Sequence, residues 1–143
     1  MFIPPLRKMT VRELLARYAS GELDFPGAHI DHADLRHARL DSVNLFGARL
    51  AGADMRGAHL TGAYLSFINL YGANLESADL RKSDLGYADL RYADLAHADL
   101  RDANLDNADL QGADLRGAML QGASLRGARL TDALRDPETT SGA

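Results

Sequence analysis

The sequence contains no cysteine and no tryptophan, and only 6% of its 143 residues are aromatic. Without cysteine there is no disulfide, no thiol nucleophile and no thiolate metal site. No apolar run approaches the ~20 residues that a membrane-spanning helix needs. Met1-Phe2-Ile3 runs at once into Pro4-Pro5, which leaves no apolar core for a secretory leader, so a cytoplasmic protein is expected. Neither sign of charge dominates: 16 Lys+Arg stand against 20 Asp+Glu, for a formal net charge of −4. No basic stripe is present, and direct binding of nucleic acid is not expected. No Gly-Lys-Ser/Thr phosphate loop occurs. Serine is scarce, and no Ser/His/Asp arrangement can be assembled.

What the sequence does contain is one rule applied without a slip. A large apolar residue stands at every fifth position from Phe25 to Leu130, 22 times in all. Two residues before nearly every one of these centres is a small apolar residue, as at Ala28, Ala33, Ala38, Ala48 and Ala53. A period of five fits neither a helix nor a strand. Fixed short repeats mark a solenoid, in which each unit rests on the next. If each unit is one short side of a coil, the centre and the Ala two before it point inward and the other three point outward. Four units, or 20 residues, close a square, and 22 units give about five and a half coils. Stacked at ~4.8 Å, the coils make a rod of roughly 25 Å held by backbone hydrogen bonds of the parallel-sheet kind.

The outward positions agree with this shape. Gly follows the centre by two at Gly27, Gly47, Gly52, Gly57, Gly62, Gly72, Gly112, Gly117, Gly122 and Gly127. A tight corner at that position needs positive φ, which glycine tolerates. Asp or Asn just before the centre can bond nearby backbone N–H groups and support the turn. Runs such as Ala88-Asp89-Leu90-Arg91-Tyr92 and Ala108-Asp109-Leu110-Gln111-Gly112 resemble the pentapeptide-repeat family, and the resemblance covers residues 23 to about 133. It implies an all-β solenoid, a right-handed quadrilateral β-helix; the hand comes from the family and not from the spacing. Most relatives, many of them bacterial, have no assigned function.

Three segments follow: an N-terminal extension and capping helix over 1–22, the β-helix over 23–134, and a loose polar tail over 135–143. Thr10-Val11-Arg12-Glu13 has the spacing of a capping box. Val11, Leu14, Leu15 and Tyr18 form an apolar stripe at helical spacing, and Gly21 is placed to stop the helix. The spacing predicts a helix over 11–19 that lays this stripe on the first coil near Leu23 and Phe25. At the other end the register breaks at Arg135, and no second cap follows. The bare last coil suggests end-to-end association with another copy.

In so regular a chain the departures carry the information. Phe46, Tyr64, Phe67 and Tyr87 are outward on one side of the coil, and Tyr71 and Tyr92 are outward on the next. These six are the expected protein-binding patch, because clustered exposed aromatics mark contact surfaces. The competing explanation is that the rings only stack from coil to coil and stabilise the sheet. Within the same zone Val43, Ile68 and Ser83 replace the inward Ala, where bulk would widen the coil.

Chemistry is not expected. His29, His32, His37, His59 and His97 scatter over different sides and corners, so no metal-ligand set converges. The carboxylates recur at one structural position, so no acid–base pair can be singled out. A square rod also offers no pocket. No catalytic, cofactor or metal residue is assigned, and the expected function is a non-catalytic interaction scaffold with an unnamed protein partner and no membrane attachment. The family resemblance also implies an alternative, because some members mimic a DNA duplex and bind and protect gyrase. Asp34, Asp54, Asp94 and Asp114 would form the acidic column of such a mimic, interrupted by Asn74. Arg36, Arg56 and Arg116 flank that column and dilute its field. Asp–Leu–Arg and Asp–Met–Arg triplets recur at Asp34/Arg36, Asp54/Arg56, Asp79/Arg81, Asp89/Arg91, Asp99/Arg101 and Asp114/Arg116. Such surface pairs are each worth less than ~1 kcal/mol.

Overall fold

The computed structural model describes residues 5–137. Residues 20 apart lie side by side: parallel bridges join Asp24 to Asn44, Asp34 to Asp54 and onward to Asp114 with Leu134. Each bridged residue before Leu134 stands one before a centre, so four repeats make one turn of the coil. The chain turns a corner every five residues, and the ladder is therefore built from single bridges rather than from long strands.

One unit shows how the backbone is satisfied. Ala88 N–H donates to the carbonyl of Leu85 across the corner at 3.0 Å, and Asp89 N–H to Ile68 in the coil below at 2.9 Å. Leu90 and Tyr92 donate to Asp109 and Gln111 in the coil above at 2.8 and 3.0 Å. The fifth N–H, of Arg91, is taken by the Asp89 carboxylate at 3.2 Å. All five donors are thus paired within the repeat and its two neighbours, as burial of backbone demands. In three units that lack Asp or Asn before the centre, a carboxylate one coil below reaches up instead. Asp31 accepts from Ala51 N–H at 2.9 Å, Asp41 from Thr61 at 2.8 Å and Asp106 from Arg126 at 3.0 Å.

The corner conformation is stricter than the glycines suggest. All 22 corner positions have positive φ, and only ten of them are Gly. The centre carbonyl accepts from the N–H three residues on, as in Ala28 to Phe25 at 3.2 Å. Positive φ at the third residue of such a turn is the type II pattern. Twelve non-glycine residues, Phe67, Tyr87 and Tyr92 among them, are held there against a cost of about 1–2 kcal/mol each.

Inside, the centres and the Ala positions form one continuous column; Leu40, Leu60, Leu80 and Leu100 are fully buried. Val43 and Ile68 are also fully buried, and the buried Ser83 hydroxyl donates to the Leu80 carbonyl at 2.7 Å. The ladder continues through all three positions: the carbonyls of Val43, Ile68 and Ser83 accept from the N–H groups of Tyr64, Asp89 and Asn104 in the coil above at 2.8, 2.9 and 2.9 Å. The expected widening does not interrupt the hydrogen bonding.

The N-terminal segment begins with β1, Arg7–Lys8, paired in parallel with β2, Ala28–His29. Helix α1, Val11–Ala19, follows, and the Thr10 hydroxyl accepts from Glu13 N–H at 3.0 Å. Leu14 is fully buried in the column, while Val11, Leu15 and Tyr18 pack partly against it. Tyr18 Oη donates to the Asp41 carbonyl at 2.7 Å, and the Arg17 guanidinium lies 5.2 Å from the Phe25 ring centre. Gly21, with φ +100°, ends the helix by donating to Tyr18 at 2.9 Å. Leu23 is exposed, and Phe25 is fully buried.

At the C-terminal end Leu125 and Leu130 are only partly buried and Leu134 is exposed. Asp136, read as part of a loose tail, is instead tied in: its Oδ2 accepts from Gly117 N–H at 2.6 Å, where the next coil's carbonyl would stand. The rest of the expected tail, beyond 137, lies outside the described residues, as do Met1 to Pro4. No helix among the described residues is long and apolar enough to cross a membrane.

Candidate protein-binding face

The register of 20 brings the six aromatic residues onto two adjoining sides, in two groups. In the first, Phe46 contacts Tyr64 at 6.2 Å and Phe67 at 5.7 Å, and Phe67 stacks on Tyr87 at 4.8 Å with planes 3° apart. In the second, Tyr71 meets Tyr92 edge-on at 5.6 Å, and the Arg91 guanidinium lies 5.1 Å over Tyr71. Tyr64 and Tyr87 are 51% and 53% exposed, Tyr71 and Tyr92 43% and 55%. Stacking from coil to coil therefore occurs and still leaves half of each Tyr ring in water. Contact between coils does not use up the surface these residues offer.

The first group encloses a feature that the sequence reading missed. On this side the residue after the centre runs Phe46, Ser66, Gly86, Asp106, Arg126 up the coils. The small Ser66 and Gly86, between larger neighbours, leave an open depression of about 310 Å³ walled by Phe46, Tyr64, Phe67 and Tyr87. Asp84 and Asn104 line it on the polar side. Ser66 is 8% exposed and Gly86 is buried, whereas Asp106 and Arg126 further up the column are more open, because the rings shield the first two. A second depression of the same size lies on another side, beside Arg36, His37, Arg56 and Glu76. The expectation that a square rod has no pocket is thus corrected: unequal side chains in one exposed column are enough to make a shallow one. The available signal was Gly86, the one repeat glycine outside the corner column.

The charged surface is organised rather than merely interleaved. All six Asp/Arg pairs named from the sequence form two-pronged contacts, with Nε and Nη2 of each Arg on the two carboxylate oxygens. The shorter prong is 2.8 Å at Arg36, 2.6 Å at Arg56 and 2.7 Å at Arg81. It is 2.8 Å at Arg91, 2.6 Å at Arg101 and 2.7 Å at Arg116. Two residues apart, the partners flank an inward centre and so share one face. The guanidinium hydrogen bonds draw Asp34 and Asp79 from the ordinary 3.8 to about 2. Hydrogen bonds from Arg56, Arg101 and Arg116 hold Asp54, Asp99 and Asp114 below the usual carboxylate range. Three of the four members of the possible acidic column, Asp34, Asp54 and Asp114, are therefore each bound by their own Arg. The fourth, Asp94, accepts from the N–H of Ala96 at 2.9 Å, and no Arg among the described residues hydrogen-bonds it.

No convergence appears among the histidines. His32, His37 and His97 stand at corners, under Gly52, Gly57 and Gly117 of the coil above. His29 lies 3.2 Å from Asp31, which also pairs with Arg49 at 2.6 Å. No group of three or more His, Asp or Glu among the described residues is placed to hold a metal ion.

A 20-residue coil of four five-residue sides, with an apolar column inside and type II corners, defines a quadrilateral β-solenoid. The pentapeptide repeats family matches this sequence in eight copies, over residues 24–62, 58–95 and 93–132. The chain belongs to the pentapeptide repeat family, whose fold is the right-handed quadrilateral β-helix. Among solved structures it is similar to QnrB1, a plasmid-mediated fluoroquinolone resistance protein, in its R167E trypsin-treated form. That match has a TM-score of 0.54 at 17% identity and covers 74% of this chain and 61% of QnrB1. The chain thus spans about three-fifths of the length of that relative. It is also similar to alr5209, a pentapeptide repeat protein from Nostoc PCC 7120, with 30% identity, coverage of 94% and 90%, and a TM-score of 0.43. HetL from the same cyanobacterium, described as involved in heterocyst differentiation regulation, is 30% identical over 88% of this chain and 94% of its own, with a TM-score of 0.19. No curated protein is similar enough to count as a match.

Proposed function

We propose that this chain is a non-catalytic scaffold that presents the face of Phe46, Tyr64, Phe67 and Tyr87, with Tyr71 and Tyr92 beside it, to a protein partner. In this reading the rod has about five and a half coils, α1 caps its first coil, and the last coil is open to end-to-end association. The observation that carries the reading is the exposure of the rings after they have stacked. Half-exposed tyrosines held by neighbouring rings offer large contact area at little entropic cost. Three of the six are kept in a strained corner conformation, where smaller residues would serve the fold better. The test compares proteins retained from source-organism lysate by wild type and by a variant with Tyr64, Phe67, Tyr71, Tyr87 and Tyr92 all changed to Ser, with folding checked by circular dichroism. A protein held by wild type and lost by the variant supports the reading, and identical retention refutes it.

The alternative reading is a DNA-mimicking partner of a topoisomerase such as gyrase. Its support is the column Asp34, Asp54, Asp94 and Asp114 and the fold shared with a fluoroquinolone resistance protein. Against it stand the Arg side chains fixed on three of those four carboxylates, which remove the continuous negative field that a duplex presents. The scaffold reading predicts that the protein leaves gyrase supercoiling unchanged at any concentration; inhibition or protection from a quinolone would favour the mimic.

A further inference from the structure

Gly86 has no conformational reason to be glycine. It stands off the corner column, and its φ is not positive. What its missing side chain does is open the approach to Asp84: a Cβ at 86 would lie 3.2 Å from Asp84 Oδ1. That carboxylate accepts from Gly86 N–H at 3.0 Å and from Asn104 Nδ2 at 3.1 Å, and no cationic side chain among the described residues pairs with it.

The adjoining side shows the same arrangement completed. In Asp89-Leu90-Arg91 the guanidinium grips Asp89 with two prongs and lies 5.1 Å over the Tyr71 ring. In Asp84-Leu85-Gly86 the carboxylate and the rings are present, and the residue that would bring the guanidinium is glycine. The depression beside it is therefore walled by aromatic faces and carries an acid with no cation. The chemical complement is a flat, delocalised cation that stacks on a ring and donates paired N–H bonds to a carboxylate. A guanidinium meets both demands; an ammonium is a strongly hydrated point charge and meets only the second.

We propose that the notch at Ser66 and Gly86 receives an arginine side chain of the partner protein, seated between Asp84 and the rings of Phe67 and Tyr87. This rests on the reading of the aromatic face as a protein-binding surface and names what the partner brings to it.

The test is an NMR titration of the full-length, ¹⁵N-labelled chain with three blocked tripeptides, Gly-Arg-Gly, Gly-Lys-Gly and Gly-citrulline-Gly. The expected result is saturable shifts at the Ser66, Gly86 and Tyr87 amides with the arginine peptide at millimolar concentration. Citrulline, isosteric but uncharged, binds about tenfold more weakly or less, and lysine falls between. Asp84→Asn, which keeps an acceptor oxygen for Gly86 and Asn104 rearrangement, abolishes the preference for arginine over citrulline. Gly86→Arg fills the notch from within and abolishes the shifts; should it fail to fold, Asp84→Asn carries the test. Equal shifts with arginine and citrulline, or none at these amides, overturn the proposal. If that happens while the five-ring variant still loses a lysate protein that Asp84→Asn retains, the arginine assignment falls and the scaffold reading survives. Identical lysate retention by the five-ring variant overturns the scaffold reading itself.

Discussion

Tyr92 and Gly112 occupy the same corner one coil apart, and the ring of the first leans over the second. A Cβ at 112 would meet Tyr92 Cε1 at 2.5 Å, whereas at Gly72 it would meet nothing within 4 Å. Both glycines have positive φ. Gly72→Ala therefore shows backbone strain alone, a loss of about 1 kcal/mol in urea melts. Gly112→Ala loses more, because the ring must swing away from Tyr71. Adding Tyr92→Ser should return the Gly112→Ala cost to that of Gly72→Ala; an unchanged cost would mean the ring contributes nothing. A side chain at one corner thus goes with glycine one coil above at His32/Gly52, His37/Gly57 and His97/Gly117 as well. The ten corner glycines made the corner legible in the sequence. That twelve bulkier residues share its conformation was not legible, because the ladder of the coil imposes it rather than local preference. The Gly86 notch was hidden for a similar reason: its walls are 20 residues apart in the chain. Asp31 is a second residue whose role only the coil reveals. It holds Ala51 N–H and Arg49 at once. Asp31→Ala should cost about 1–3 kcal/mol by orphaning that N–H, measurable by denaturant unfolding, with no comparable loss for the solvent-facing Glu76→Ala.

At the scale of elements, α1 was legible from end to end: its cap, its stripe and its stop are all local signals. Thr10→Ala removes the acceptor for Glu13 N–H and should lower stability by about 1 kcal/mol. Amide exchange should quicken across 11–19 and in the first coil beneath Leu14, but not in coils beyond it. Uniform quickening along the rod would show that the helix does not act as a local cover. β1 was not legible. Its two charged residues, Arg7 and Lys8, follow no part of the repeat, and their place is set by pairing with Ala28 and His29. The same limit holds at the other end, where only the position of the Gly117 N–H explains why Asp136 is held.

For the whole molecule, the paired carboxylates set the response to acid. Their pKa values in the fold lie below the ordinary 3.8, down to about 2 at Asp34 and Asp79. The unfolded chain binds these protons first, so the pairs contribute stability above about pH 4, and the contribution disappears as pH falls toward 2. Each pair is partly exposed and screened, so the effect of any one is small. Thermal melts should accordingly be flat in this contribution from pH 7 to 5 and fall below pH 4. Asp79→Asn should fall less steeply. A decline already complete by pH 5 would point to other groups.

The central claim is that one face of the rod, and not its surface at large, meets a protein. Site-specific photocrosslinking in the source cells addresses it most directly, with benzoylphenylalanine replacing Tyr64 in the aromatic group or Glu76 on the opposite side. Both positions are exposed, and neither contributes to the buried column. The account predicts a discrete adduct with a second protein from position 64 and none from position 76. Adducts from both positions alike, or from 76 alone, would contradict it.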